Sequence, residues 1–197
     1  APPHHFRKIA KKILTMAVYL ALALGAIPSH SETTSLEELR TGDMKKLVFH
    51  SKPKNIANAA YQLADNAGTE TLVKYEGKYI LLNFWATWCA PCRKEMPMLS
   101  DLQSELGGSD FEVVTIATGR NSPEGIKKFF SSANITNLPH HQDLKQKLAS
   151  EMGVFGLPIT VIIDPEGQEI ARLRGDADWS SDSAKAIIES LIKRTKP

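Results

Sequence analysis

Cysteine is almost absent: 197 residues hold two, Cys89 and Cys92. One pair cannot staple a disulfide framework, so a packed core must hold the fold. Nor can it complete a structural zinc site, which takes four ligands and usually two such pairs. Charge of one sign is lacking too. The net charge is +2, from 24 basic and 22 acidic residues, without the basic footprint that nucleic-acid binding requires. No internal repeat and no low-complexity stretch interrupts the chain. What is there, 42% hydrophobic and 23% charged residues, is the composition of a soluble globular protein. The length suits one domain with residues to spare.

Acidic residues are missing from 1–31, which hold Arg7, Lys8, Lys11 and Lys12. They precede an uncharged run, Ile13 to Ile27, and the small-x-small triplet Ser29-His30-Ser31. A basic region, an apolar stretch and small residues form an export signal. Fifteen apolar residues fall short of the roughly 20 of a comfortable bilayer span. The segment is either cleaved or kept as an anchor with local thinning or snorkelling of Lys12. Its basic end stays in the cytoplasm, which places the rest of the chain outside it.

Residues 32–53 read as a polar linker with a short helical pattern from Ser35 to Phe49, opened by a Ser35–Glu38 capping box. A hairpin is expected from Ala60 to Tyr75. Tyr79 to Ala86 is a continuous apolar run suited to a strand buried on both faces. A helix from about Pro91 to Leu106 ends at Gly107-Gly108, and Phe111 to Ala117 is the next buried strand. Ser122 caps a helix with Pro123 at its first position, whose Phe129-Phe130 face the core. Further expectations are a helix over 143–152, a hairpin from Ile159 to Arg174 about an Asp164-Pro165-Glu166-Gly167 turn, and a helix over 179–194. This order predicts an α/β domain over 54–197, with a mixed central sheet and helices on both faces. His140-His141 read as surface histidines, since adjacent residues project in different directions.

The cysteine pair lies where the buried strand ends and the helix begins. There the sulfur of Cys89 meets unpaired N–H groups and the positive end of the helix dipole, which favours thiolate. Cys92, one turn on, can attack a mixed disulfide formed at Cys89. Pro91 stiffens the turn and is tolerated in a first helical turn. Trp85 belongs to the strand and the core, whereas Trp88 is exposed beside Cys89, where an aromatic can contact a substrate chain. Arg93-Lys94 either stabilise thiolate or are solvated charge.

The stretch Phe84-Trp85-Ala86-Thr87-Trp88-Cys89-Ala90-Pro91-Cys92, followed by Glu95 and Pro97, resembles the thioredoxin superfamily, and more closely its exported TlpA-like and ResA-like branch. Gly156-Leu157-Pro158-Ile159-Thr160 is the second match. The resemblance spans roughly 54–193. It implies a thioredoxin-like fold with a cis Leu157–Pro158 bond facing the cysteines, Pro158 shaping a docking surface for an extended substrate. Many cytoplasmic thioredoxins carry a buried aspartate six residues before the first cysteine; this chain has Asn83. The ResA-like branch suggests Glu95 as the substitute. Its spacing puts it on the same helix face as Cys92, where a partly buried carboxyl can exchange a proton. The alternative is a glutamate on the helix surface.

The expected protein is therefore a thiol–disulfide oxidoreductase outside the cytoplasm that needs no dissociable cofactor. Cys89 attacks, Cys92 resolves and Glu95 assists, while Trp88, Pro91, Leu157 and Pro158 dock the substrate. The branch points to reduction of partner proteins with disulfides or vicinal cysteines, in cytochrome oxidase (copper) or cytochrome c assembly. A membrane-bound electron donor would recharge it, at the inner membrane if the leader is retained. A monomer is expected. A disulfide-introducing oxidant and a metal-binding chaperone of the same fold remain as alternatives.

Overall fold

The most apolar run of the chain makes its most enclosed strand. Residues 79–85 form β4 (Tyr79–Trp85), and every one of them is buried. Side chains alternate along a strand, so β4 feeds two cores. Ile80, Leu82 and Phe84 pack on one side of the sheet, and Leu81 and Trp85 on the other. Residues 35–195 are described by the computed structural model. The export segment expected over 1–31 lies outside the described residues. Among the described residues, no helix is long and apolar enough to cross a membrane.

Eight strands form one mixed sheet: β1 (Val48–Asn55), β2 (Tyr61–Gln62), β3 (Thr69–Glu70), β4, β5 (Phe111–Thr118), β6 (His141–Asp143), β7 (Ile159–Ile163) and β8 (Gln168–Arg174), in the order β1-β8-β7-β4-β5-β6-β2-β3. β4 runs parallel to β5 and antiparallel to β7. Among the described residues four α-helices complete the domain: α1 (Ala90–Leu106), α2 (Pro123–Ser132), α3 (Lys147–Glu151) and α4 (Asp182–Thr195). α1, α2 and α4 supply Leu99, Leu102, Ile126, Phe130, Ile187 and Leu191 to one core; α3 supplies Leu148 and Ala149 to the other.

Local signals explain the helix ends. The Ser122 hydroxyl accepts the Gly125 N–H at 3.0 Å and Pro123 opens α2, which satisfies an orphan donor where a proline costs nothing. Trp85 lies against Phe129 and Phe130, with ring centroids 5.5 and 5.3 Å away. The β7–β8 hairpin turns where Gly167 takes φ +78°, a conformation that glycine adopts without strain.

Four expectations fail locally. The Ser35–Glu38 capping box forms, with the Ser35 N–H 3.1 Å from Glu38 Oε2 and the Glu38 N–H 3.3 Å from Ser35 Oγ, yet no α-helix follows it. Thr41 is extended and Gly42 has φ +53°, so only a 3-10 turn over Gly42–Lys46 ensues. The residues read as a polar linker then enter the sheet, with Val48 opposite Arg172 and Phe49 opposite Ala171. The Ala60–Tyr75 hairpin shrinks to two residues per strand, and Leu72–Tyr75 coil into a 3-10 turn that buries Leu72 and Tyr75. Over 143–152, β6 takes Asp143 and α3 begins only at Lys147, because the Asp143 carboxylate accepts the N–H groups of Lys147 (3.0 Å) and Ala149 (2.8 Å).

His141 is likewise not a surface group, and His140 is half-buried. His140 stacks on Phe130 at 4.5 Å, and His141 is buried with Nε2 3.4 Å from the Tyr75 hydroxyl. Burial, reinforced by the charge of Lys74, pushes His141 down to about 4.

Candidate active site

β4 ends at Trp85, and the chain turns through Thr87 and Trp88 before α1 begins. Cys89 is the N-cap of α1, and its sulfur accepts the Cys92 N–H at 3.4 Å. The two cysteines are joined as a disulfide. Cys92 is wholly buried, while Cys89 keeps 6% of its surface. Of the pair, only Cys89 is reachable. Pro91 is exposed in the first turn of α1. Arg93 donates to the Thr87 carbonyl at 2.7 Å and Lys94 pairs with Asp176 at 3.0 Å, so both charges are engaged at the rim with groups other than sulfur.

The approach loop is pinned from below by Asn121, which sequence reasoning missed. Its Oδ1 accepts the Thr87 N–H (2.8 Å) and hydroxyl (3.0 Å), and its Nδ2 donates to the Thr118 and Gly119 carbonyls. Trp88 is 63% exposed and donates its indole N–H to the Arg120 carbonyl at 3.2 Å. That bond holds the ring in place at the surface. A buried asparagine just ahead of a helix cap carries no distinctive sequence signal, because Asn is also common in solvated turns.

The antiparallel pairing of β4 with β7 sets Ile159 opposite Phe84. The start of β7 therefore lies beside the end of β4 that leads into Cys89. The Leu157–Pro158 bond just before β7 is cis, and Pro158 is buried with its carbonyl accepting the Gly175 N–H at 3.0 Å. Leu157 and Trp88 line one groove of about 480 Å³. A second groove, of about 300 Å³, runs along Leu157 and Pro158. Phe155, 88% exposed, belongs to both. It too was missed, although an apolar residue in the loop just before Gly156-Leu157-Pro158 was there to be noticed.

Glu95 is on the inside, not on the helix surface. It has no exposed surface, and burial pushes its carboxyl up to about 7. Three donors partly oppose that shift: Asn83 Nδ2 at 2.8 Å on Oε1, with the Ala177 N–H and the Trp179 indole N–H, both at 3.1 Å, on Oε2. The nearby Asp176 charge adds to it. Among the described residues, none of Glu95's hydrogen bonds reaches a sulfur. Trp179, expected to open the last helix, instead precedes α4 and closes the carboxylate in. The structure thus gathers Trp88, Cys89, Pro91, Cys92, Leu157 and Pro158 around the helix end and sets Glu95 beneath it.

The family profile described as AhpC/TSA family matches residues 53–170, more than half of the chain. The thiol-disulfide oxidoreductase ResA of Geobacillus thermodenitrificans is 33% identical over 132 residues, covering 66% of this chain and 74% of the relative. That of Bacillus thuringiensis subsp. konkukian is 28% identical over 126 residues, covering 64% and 68%. Among solved structures, the pneumococcal exposed lipoprotein thioredoxin Etrx1 of Streptococcus pneumoniae aligns with TM-score 0.55 at 28% identity over 70% of this chain and 99% of its own. A putative thiol:disulfide interchange protein DsbE from Chlorobium tepidum aligns with TM-score 0.60 at 23% identity over 71% and 97%; at that identity the likeness speaks for the fold alone. On this footing the chain belongs to the AhpC/TSA family, as a thioredoxin-like member with the CxxC site of thiol–disulfide oxidoreductases.

Proposed function

We propose that this thiol–disulfide oxidoreductase reduces disulfides in partner proteins outside the cytoplasm. The observation that carries the reading is the placement of Cys89: the reachable cysteine of the pair, at a helix N-cap, beside a groove walled by Trp88 and Leu157. Once reduced, Cys89 attacks a partner disulfide. One partner sulfur leaves as a thiol and the other is held in a mixed disulfide with Cys89. Cys92 then attacks the Cys89 sulfur, which closes the Cys89–Cys92 bond and releases the partner as a dithiol. Glu95 exchanges the proton that Cys92 gives up or regains, and Pro91, Leu157 and Pro158 shape the surface on which the extended partner segment lies.

The export segment at 1–31 and the TlpA-like and ResA-like resemblance support a periplasmic site of action, with or without retention at the inner membrane. They also favour cysteines awaiting copper or haem, in cytochrome oxidase or cytochrome c assembly, as the targets. The oxidised product returns to the dithiol by exchange with a membrane-bound donor, and the protein works as a monomer. The deciding experiment is the reduction potential of the Cys89–Cys92 couple, by equilibration with glutathione buffers in a soluble chain starting near Ser31. A value near about −270 mV is expected for a reductant; one near about −120 mV belongs to an oxidant and overturns the reading.

A further inference from the structure

Hydrogen-bond accounting around Glu95 leaves one atom over. Asn83, fully buried on β4, gives both Nδ2 protons away: to Glu95 Oε1 at 2.8 Å and to Thr160 Oγ1 on β7 at 2.9 Å. Its Oδ1 is buried and has no partner among the described residues. An unpaired buried polar atom costs about 1–3 kcal/mol, so the arrangement calls for a reason. The Ala177 and Trp179 N–H groups both point at Glu95 Oε2. With Asn83 they make three donors aimed at one carboxylate. Oε2 already accepts two N–H groups, so a proton there would confront a donor, and on Oε1 a proton is left the one lone-pair site that Asn83 does not take. The network therefore suits the ionised acid best, in a site whose burial favours the neutral one.

A half-turn of the Asn83 amide removes the conflict. Oδ1 then takes the place of Nδ2, within hydrogen-bonding distance of the same two oxygens. Neutral Glu95 donates its Oε1–H to Oδ1. The Thr160 hydroxyl, which both donates and accepts, rotates from accepting to donating. Each orientation keeps two hydrogen bonds on the Asn83 atom that faces Glu95, and each matches one protonation state. An aspartate at 83 would confront Glu95 with a second carboxyl, and an aliphatic residue would satisfy neither state.

We propose that Asn83 is a two-state positioning residue: it presents Nδ2 to Glu95 when Glu95 is a carboxylate and Oδ1 when Glu95 holds a proton, with Thr160 as the hydroxyl that follows. One buried pocket then presents the same number of hydrogen bonds to Glu95 and Thr160 at both ends of a proton transfer, while the amide atom on the far side has no partner among the described residues in either orientation. This rests on the reading of Glu95 as the proton-exchanging group of the site. The charged groups near Glu95 are Asp176, on the loop after β8, and its partner Lys94 on α1; β4 and β7 contribute the uncharged Asn83 and Thr160. Lys94 and Asp176 are common to both amide orientations and do not select between them.

The test follows the Glu95 carboxyl carbon and the Asn83 side-chain amide together by NMR on the folded chain, across about pH 5 to 9. The Glu95 signal is assigned by its disappearance in Glu95→Gln. The contacts of the amide protons with the Thr160 side chain should fade as Glu95 gains its proton, with the same midpoint. If the carboxyl titrates while those contacts stay fixed, the inference is overturned and the role of Glu95 stands. If the carboxyl does not titrate in that range, both fall.

Asn83→Leu reads the same question through stability. A residue that only donated to the carboxylate would, when lost, raise the Glu95 midpoint by roughly one pH unit or more and cost stability only above it. A two-state partner leaves the midpoint within a few tenths of a unit and costs stability on both sides. Should that variant not fold, the NMR measurement on the unaltered protein decides alone.

Discussion

Glu95 ties the folding equilibrium to pH. Burial, with the Asp176 charge as a lesser cause, holds its carboxyl at about 7 in the folded protein against an ordinary value of 4.5. Between those values the folded state binds a proton that the unfolded state has released, so stability falls as pH rises through the window. The contribution is fully present below about pH 4.5, is lost as pH passes about 7, and is on the order of 3 kcal/mol. Urea unfolding of the oxidised protein at several pH values should therefore show a decline that Glu95→Gln largely removes; parallel profiles for the two proteins would refute the assignment. The cysteines differ as sharply from one another. Cys92→Ser should accumulate mixed disulfides with partner proteins through the reachable Cys89, visible on non-reducing gels, whereas Cys89→Ser should trap none. Trapping through Cys92 would reverse their roles.

At the scale of elements, the sequence made the centre of the sheet legible and its edge obscure, for a physical reason. β4, β5, α1, α2 and the β7–β8 hairpin each carry their own signal: a long apolar run, a cap with proline, a glycine turn. β1, β2 and β3 do not. Most of β1 is exposed and it is held by its pairing with β8, so its residues read as polar linker until the partner strand is known. The site divides in the same way. Cys89, Cys92 and the Leu157–Pro158 bond lie in recognisable stretches, while Asn121, Ala177 and Trp179 act through contacts made only after the chain folds. Asn121 is the most exposed to test. Asn121→Ala strips the acceptor from the Thr87 N–H and hydroxyl together, which should cost about 1–3 kcal/mol in urea unfolding. It should also slow exchange at Cys89 by loosening the turn that carries it. Asn121→Asp keeps the acceptor and should retain more of the exchange rate. An alanine variant as fast and as stable as the parent would remove Asn121 from the site.

For the whole molecule, the distribution of charge matters more than its total. Beyond residue 31 the chain carries 20 basic residues, since four of its 24 lie in 1–31, against 22 acidic ones. The two grooves beside Leu157 run against that balance, for their only charged lining residues are Lys145 and Arg174. Phe155 lines both grooves, and two further cations near Trp88 are exposed, Arg93 in the same helix start and Arg120, whose carbonyl accepts the Trp88 indole N–H. A partner segment with an apolar side chain near its cysteine and acidic residues around it fits this face. Complementary charge acts chiefly on the association rate and is screened by salt. A disulfide peptide with acidic flanks should accordingly be reduced faster than one with basic flanks. That preference should fade as ionic strength rises from about 0.01 M to about 1 M and the screening length falls from about 30 Å to about 3 Å. Reversing both charges, Lys145→Glu with Arg174→Glu, should invert the preference while leaving the reduction of a small uncharged disulfide unchanged. Phe155→Ser should slow both peptides and spare the small disulfide. A preference that survives high salt, or one that the double reversal leaves alone, would mean that partner choice is set elsewhere on the molecule.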